Sequence, residues 1–191
     1  MDQSVIMGTS DQALALRLSE LRLRQGWSLD DLAARTGISR ATLSRIERAE
    51  TSPTASLMGK LATAYGLTMS RLLAGVEGQA PQLVRADQAL VWIDPETQFV
   101  RRSVSPPAEG FETELVLGEL PAGARINYAA PAIPGLEEHL FVLSGCLNLT
   151  VEGDAHSLRP EDCLRFRLFG TTQFHNPGPS RVRYLIAITQ P

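Results

Sequence analysis

Two groups of residues in this chain have the types and spacings that do chemistry. The first is a run of arginines and small polar residues between Ser39 and Arg48. A helical projection of this run turns Leu43 and Ile46 to one side. Ala41, Ser44, Arg45 and Arg48 then face the other way, with Arg40 at the exposed N-terminal end. Such a face fits the DNA major groove, where a guanidinium bonds guanine O6 and N7 in a bidentate manner. Ser39 and the free N–H groups at helix starts suit phosphate oxygens. By spacing alone, a solvated helix face explains the pattern equally well.

The second group lies further along the chain: Glu138, the three histidines His139, His156 and His175, and the two cysteines Cys146 and Cys163. Imidazole beside a carboxylate is the chemistry of a transition-metal site. Their spacing argues against one. His139 follows Glu138 directly, so on a strand the two point to opposite faces. His156 sits just beyond a hairpin turn and is expected in solvent. His175 alternates away from Thr172 and Phe174. The thiols are expected to be buried and unreactive, because nothing near them in sequence lowers a thiol pKa; a redox pair on adjacent strands is the alternative.

These residues sit on elements of two different periods. Up to about residue 75 apolar residues recur at helical spacing, as in Leu14, Leu18 and Leu21, then Leu43 and Ile46, then Leu57 and Leu61. Ser28 with Asp31 reads as a capping box, Gly37 as a stop, Ser39 with Thr42 as the next cap, Pro53-Thr54 as another start and Gly66 as another stop. That predicts about five short helices, with Leu29–Thr36 and Arg40–Arg48 forming a helix-turn-helix. Beyond Gly75 the pattern becomes short strands: Leu90–Ile93, Val100–Ser105, Thr113–Glu119, Arg125–Tyr128, His139–Leu143, Leu147–Val151, Cys163–Arg167 and Val182–Thr189. Glu152-Gly153-Asp154 reads as a hairpin turn. Many short strands with Gly and Pro turns indicate a sandwich or small barrel.

Composition agrees. The 191 residues are 43% hydrophobic and 20% charged, enough to bury a core. No apolar run approaches the length of a membrane span, and no basic segment followed by an apolar stretch opens the chain, so a cytoplasmic protein is expected. The net charge of −3 divides into +2 over residues 1–75 and −5 over residues 76–191, which permits nucleic-acid binding by the first part.

The stretch from Leu21 to Arg48, continued by Ser52-Pro-Thr and by Leu61-Ala-Thr-Ala-Tyr-Gly-Leu67, closely resembles the lambda-repressor-like, XRE-type helix-turn-helix family. The resemblance implies base contacts by Arg40, Ala41, Ser44 and Arg45, and phosphate contacts by Ser28, Ser39 and Arg48. It also implies a structural pair between Arg22 of the first helix and Glu47 of the third. Ala49 stands where many members have glycine.

Glu138-His-Leu-Phe-Val-Leu-Ser-Gly145, followed by Thr150–Asp154, Leu158–Asp162 and Asn176-Pro-Gly178, resembles the cupin motifs in order. The resemblance implies a jelly-roll β-barrel, and the pairing of such a tail with an XRE-type head is itself a family of bacterial transcription regulators. Metal-binding cupins place a His-x-His pair before the Glu, where Pro131/Ile133 or Ala132/Pro134 stand here, and a later His where Thr172 stands. Glu161 replaces the usual glycine before Asp162. No metal and no other cofactor is therefore expected.

The expectation is a multidomain α + β chain. Residues 1–11 are a flexible tail, 12–75 the five-helix DNA-binding domain, 76–82 a linker and 83–191 the cupin-type barrel. The function read from it is sequence-specific, non-enzymatic transcription regulation by a homodimer on double-stranded DNA, with no membrane partner. The alternatives are a cupin metalloenzyme with a DNA-binding head and an antitoxin-like regulator that binds a protein. Arg125, Tyr128, Glu138, Thr172 and Phe174 are placed at the mouth or interior of the barrel as an effector pocket, against the alternative of a filled barrel that only dimerises. Glu138 in a closing barrel needs a proton, a hydrogen bond or a cation such as Arg125, or an amine-bearing effector. Arg165 and Arg167 alternate with Leu164 and Phe166, and the sequence leaves open which pair faces inward.

Overall fold

A computed structural model describes residues 3–74 and 82–191, with side chains from residue 11 onward. The helices are α1 (Gln3–Arg24), α2 (Leu29–Thr36), α3 (Arg40–Glu47), α4 (Ala55–Tyr65) and α5 (Met69–Leu73). The tail expected over residues 1–11 is helical from Gln3, since extending a helix already formed costs far less than starting one. Most of the expected linker lies outside the described residues.

The cap residues act as their types predict. Ser28 and Asp31 form a reciprocal capping box, and Ser39, Thr54 and Thr68 each accept the third backbone N–H of their helix. Gly37 ends α2 at φ 65°, a left-handed conformation that costs a side-chain-bearing residue about 1–2 kcal/mol. Leu18, Leu32, Leu43, Ile46, Met58, Leu61 and Leu72 fill the helical core and are essentially inaccessible to solvent. Burying each contributes about 1.5–3 kcal/mol.

Ten strands follow: β1 (Val91–Ile93), β2 (Val100–Ser105), β3 (Thr113–Leu120), β4 (Arg125–Tyr128), β5 (Leu136–Ser144), β6 (Leu147–Val151), β7 (Asp154–Leu158), β8 (Cys163–Leu168), β9 (Thr172–His175) and β10 (Val182–Thr189). They form a six-stranded sheet in the order β1-β2-β3-β10-β5-β8 and a four-stranded sheet in the order β4-β9-β6-β7. All the pairs are antiparallel, as in a jelly roll. Two strands were not anticipated. β7 offers one buried residue, Leu158, and β9 has a single large apolar residue, Phe174, so neither presents the repeated apolar positions that mark a strand. What makes β7 is the turn Glu152-Gly153, both at positive φ, which returns the chain along β6.

α1 is pinned to α3 by one ion pair. Arg22 Nε and Nη2 donate to the two carboxylate oxygens of Glu47, each at 2.8 Å, while Nη1 donates to the Trp27 carbonyl at 2.9 Å. The two side chains are 13% and 10% exposed, so removing one strands the other in a poorly solvated place. Ala49 then turns the chain at φ 55°, a left-handed conformation that glycine adopts without strain. Glu47→Ala should cost up to about 3–5 kcal/mol, with the Arg22→Ala/Glu47→Ala double variant losing less than the sum of the singles; denaturant melts that add strictly would uncouple the pair. Ala49→Gly should raise stability by about 0.5–1 kcal/mol, because relief of strain exceeds the added chain entropy; a lower melting midpoint would contradict the strain.

Candidate DNA interface and barrel cavity

The outward face of α3 is built by the turn that precedes it. Thr36 donates its hydroxyl to the Leu32 carbonyl and accepts from the Ile38 N–H, which fixes the Gly37-Ile38-Ser39 corner. Thr42 N–H donates to Ser39 Oγ at 3.1 Å, and Leu43 and Ile46 anchor the inner face. Ser39, Arg40, Ala41, Arg45 and Arg48 are left exposed, and Ser44 is half-buried. The arginines differ in their partners. Arg45 has no ion-pair or hydrogen-bond partner among the described residues. Arg40 lies 3.5 Å from Asp30 in open solvent, a contact worth little. Arg48 donates through Nε and Nη2 to Glu50 at 2.7 and 3.0 Å, and through Nη1 to Ser44 Oγ at 2.7 Å. Ser28 is similarly engaged, its hydroxyl donating to Asp31 at 2.6 Å, which holds the Asp31 carboxyl below its ordinary range. Arg35 lies over the Trp27 ring at 4.2 Å.

The barrel holds a cavity of about 100 Å³ whose roof is the helical half. Gly59 and Ala62 of α4 and Thr68 and Met69 of α5 close it from above; Arg101, Tyr128, Glu138, Thr172, Phe174 and Tyr184 line it among aliphatic residues. Phe174 stacks on Tyr184 with ring centres 5.8 Å apart and meets Tyr128 edge-on at 6.1 Å. Burial pushes the Tyr128 hydroxyl up to about 12 and that of Tyr184 higher still. The lining includes no histidine or cysteine.

Polar contacts hold this roof in place. Asp94, buried after β1, accepts the N–H of Ala55, the first residue of α4, at 3.1 Å. Thr68 donates its hydroxyl to the buried Glu114 of β3 at 2.9 Å, with Arg71 Nε 3.6 Å from the same carboxylate. Arg101 Nη2 donates to Ser70 Oγ at 2.7 Å. Gly59 lies so close to the Tyr128 ring that a Cβ there would stand 2.7 Å from it.

Comparison with known proteins joins the two halves into one kind of molecule. Residues 18–72 match the helix-turn-helix family HTH_3. The HTH-type transcriptional regulator SutR of Escherichia coli (strain K12) is 30% identical over 184 residues, 93% of this chain and 95% of its own length. The chain belongs to the HTH-type transcriptional regulators. The crystal structure of an HTH_3 family regulator from Vibrio cholerae shares the fold of the whole regulator, at TM-score 0.78 and 24% identity over 97% of this chain and 98% of that one. A Cupin_2 domain of an XRE family regulator from Enterobacter cloacae matches at 25% identity and TM-score 0.46, over 49% of this chain and 97% of that one. The regulator is thus a DNA-binding protein of XRE type whose second half is an antiparallel two-sheet jelly roll. Among its described residues no helix is long and apolar enough to cross a membrane.

Four of the five residues expected to form a pocket do meet in the cavity: Tyr128, Glu138, Thr172 and Phe174. Arg125 does not. Alternation along β4 turns it into solvent beside His175, and the cation near Glu138 is Arg101 of β2. Arg165 and Arg167 face outward, across from His139 and Glu137 on β5, while Leu164 and Phe166 point toward the core. Arg167 and His139 both bond Glu137, at 3.0 and 3.2 Å, confirming that His139 lies on the face opposite Glu138. His156 and His175 are half-buried. The cysteines are not buried as expected: both are free and exposed, Cys146 in the β5–β6 turn and Cys163 on the outward face of β8. Sequence reading missed Arg101, Tyr184 and the roof, because α4 and α5 meet the barrel only in three dimensions.

The Glu138 carboxyl is pushed from its ordinary 4.5 up to about 7, chiefly by burial; Arg101 opposes the rise and Glu114 adds to it. The folded state therefore binds this proton more tightly than the unfolded chain. The group's contribution to stability is fully present below about pH 4.5 and is lost as pH rises through about 7, a change of up to about 3 kcal/mol. Glu138→Gln should lack this decline. Denaturant melts of both proteins at stepped pH should diverge across that window in the variant's favour; parallel curves would assign the decline elsewhere.

Proposed function

We propose that the regulator binds a pseudo-palindromic operator as a homodimer, reading bases with α3 and sensing a small effector in the barrel cavity. The boundaries of this reading are a DNA-binding domain over 12–75, a linker over 76–82 and a sensor and dimerisation domain over 83–191, working in the cytoplasm without catalysis and without a metal. The observation that carries it is Arg45, a guanidinium with no protein partner among the described residues, exposed at the middle of a helix face otherwise made of Arg40, Ala41 and Ser44. Ser28, Ser39 and Arg48 flank that face and are assigned to phosphates. Arg48 must exchange Glu50 for a phosphate to serve there. One head offers too little surface for tight specific binding, which supports paired heads on half-sites about one helical turn apart. The chemistry of the lining supports an organic effector, because one carboxylate without imidazole does not hold a transition metal tightly.

Binding isotherms on cognate and scrambled duplexes at several salt concentrations test the assignments. Arg45→Ala should cost about 1–3 kcal/mol on the cognate site and relax base preference there. Arg48→Ala should weaken binding to all sequences alike and lower the salt slope by about one unit. An Arg45→Ala protein with unchanged sequence preference would sink the reading of α3.

A further inference from the structure

Arg101 and Glu138 line the same cavity without forming an ion pair. Glu138 is 8% exposed, and its carboxyl has no hydrogen-bond partner among the described residues. Arg101 commits one amino group to Ser70 Oγ and, among those residues, no other. The hydroxyls of Tyr128, Thr172 and Tyr184 are likewise uncommitted there. Around them the wall is apolar, from Met69 of α5 to Phe174 of β9. An unpaired carboxyl in such a place calls for a cationic donor, and a guanidinium with unused N–H groups calls for an anionic acceptor. The space, about 100 Å³, is smaller than the roughly 150 Å³ cavity that accommodates benzene, so it suits about four to six non-hydrogen atoms.

We propose that this cavity binds a small zwitterion of the amino-acid class, its ammonium on Glu138 and its carboxylate on Arg101. The proposal rests on the effector-pocket reading above and adds the chemistry of the effector. A simple amine leaves the spare N–H groups of Arg101 unused, and a simple carboxylic acid leaves Glu138 alone. Occupancy also reaches the DNA-binding half. The ligand carboxylate takes the spare N–H groups of the same guanidinium that holds Ser70 of α5, and the ligand body lies against the roof residues Gly59 and Met69. The charged and titratable groups around Glu138 are Arg101 of β2, Glu114 of β3, Tyr128 of β4 and Tyr184 of β10, with Arg71 of α5 held on Glu114. An ammonium arriving at a half-protonated Glu138 expels part of a proton near neutral pH.

Isothermal titration of the full chain at pH near 7 with glycine, L-alanine and β-alanine, and with ethylamine and propionate as single-charge controls, tests this. At least one zwitterion should bind saturably and about tenfold or more tighter than either control. Its enthalpy should change with the ionisation heat of the buffer. Glu138→Gln should abolish the advantage over propionate, and Arg101→Gln the advantage over ethylamine, with melts checking that both variants fold. Ethylamine or propionate binding as tightly as every zwitterion would overturn the proposal, as would zwitterion binding unchanged in both variants or absent at millimolar concentration. A melting temperature raised by uncharged solutes such as tert-butanol, with no zwitterion binding, would remove the zwitterion and leave the effector pocket standing. A cavity that takes neither would remove both.

Discussion

The packing of α4 and α5 on the mouth of the barrel is the constraint on which the rest of the molecule depends. Three buried or half-buried polar contacts define it: Asp94 on the first N–H of α4, Glu114 on the Thr68 hydroxyl, and Arg101 on Ser70. Each barrel-side group sits in poorly solvated surroundings and would be left without its partner if the helices moved away, a cost of roughly 1–3 kcal/mol for each unsatisfied group and more where it is charged. The contact therefore favours one arrangement of the two halves. The same helices support the helix-turn-helix: α4 packs on α2, and α5 on α1 and α4. A shift at the barrel mouth is consequently a shift of the platform under α3.

Most of the helical half could be read in the sequence because its determinants are local. Ser28, Asp31, Gly37, Ser39, Thr54 and Gly66 act within one turn of where they stand, and the apolar spacing in α2 and α3 predicts which side is buried. The Arg22–Glu47 pair is not local, and it was legible only through resemblance to a family. The strands that carry two or more apolar residues on one face were legible too. β7 and β9 were not, because each has a single large apolar residue, Leu158 or Phe174, and pairing with β6 holds it as a strand.

The cavity was half legible. Alternation places His139 on the face opposite Glu138 and puts Thr172 and Phe174 on one face of a second strand, and these positions hold. The choice of Arg125 as the neighbouring cation failed because β4 turns it outward, whereas Arg101 arrives from β2, distant in sequence but adjacent in space. The roof had no sequence signature at all. Gly59 in the middle of α4 is the nearest to one: a glycine inside a helix costs about 1 kcal/mol, and here it admits the Tyr128 ring.

The most direct measurement of whether barrel and DNA-binding face are linked is the operator Kd of Gly59→Ala against that of the unaltered protein, on the same duplex at the same salt. The added methyl lies at the α4–Tyr128 contact, away from α3, and a lowered melting temperature verifies that the contact is disturbed. A Kd that differs by about fivefold or more is expected, the scale of coupling between distinct sites. An unchanged Kd in a protein whose melting temperature has fallen would show that the DNA-binding face does not depend on how the helices sit on the barrel.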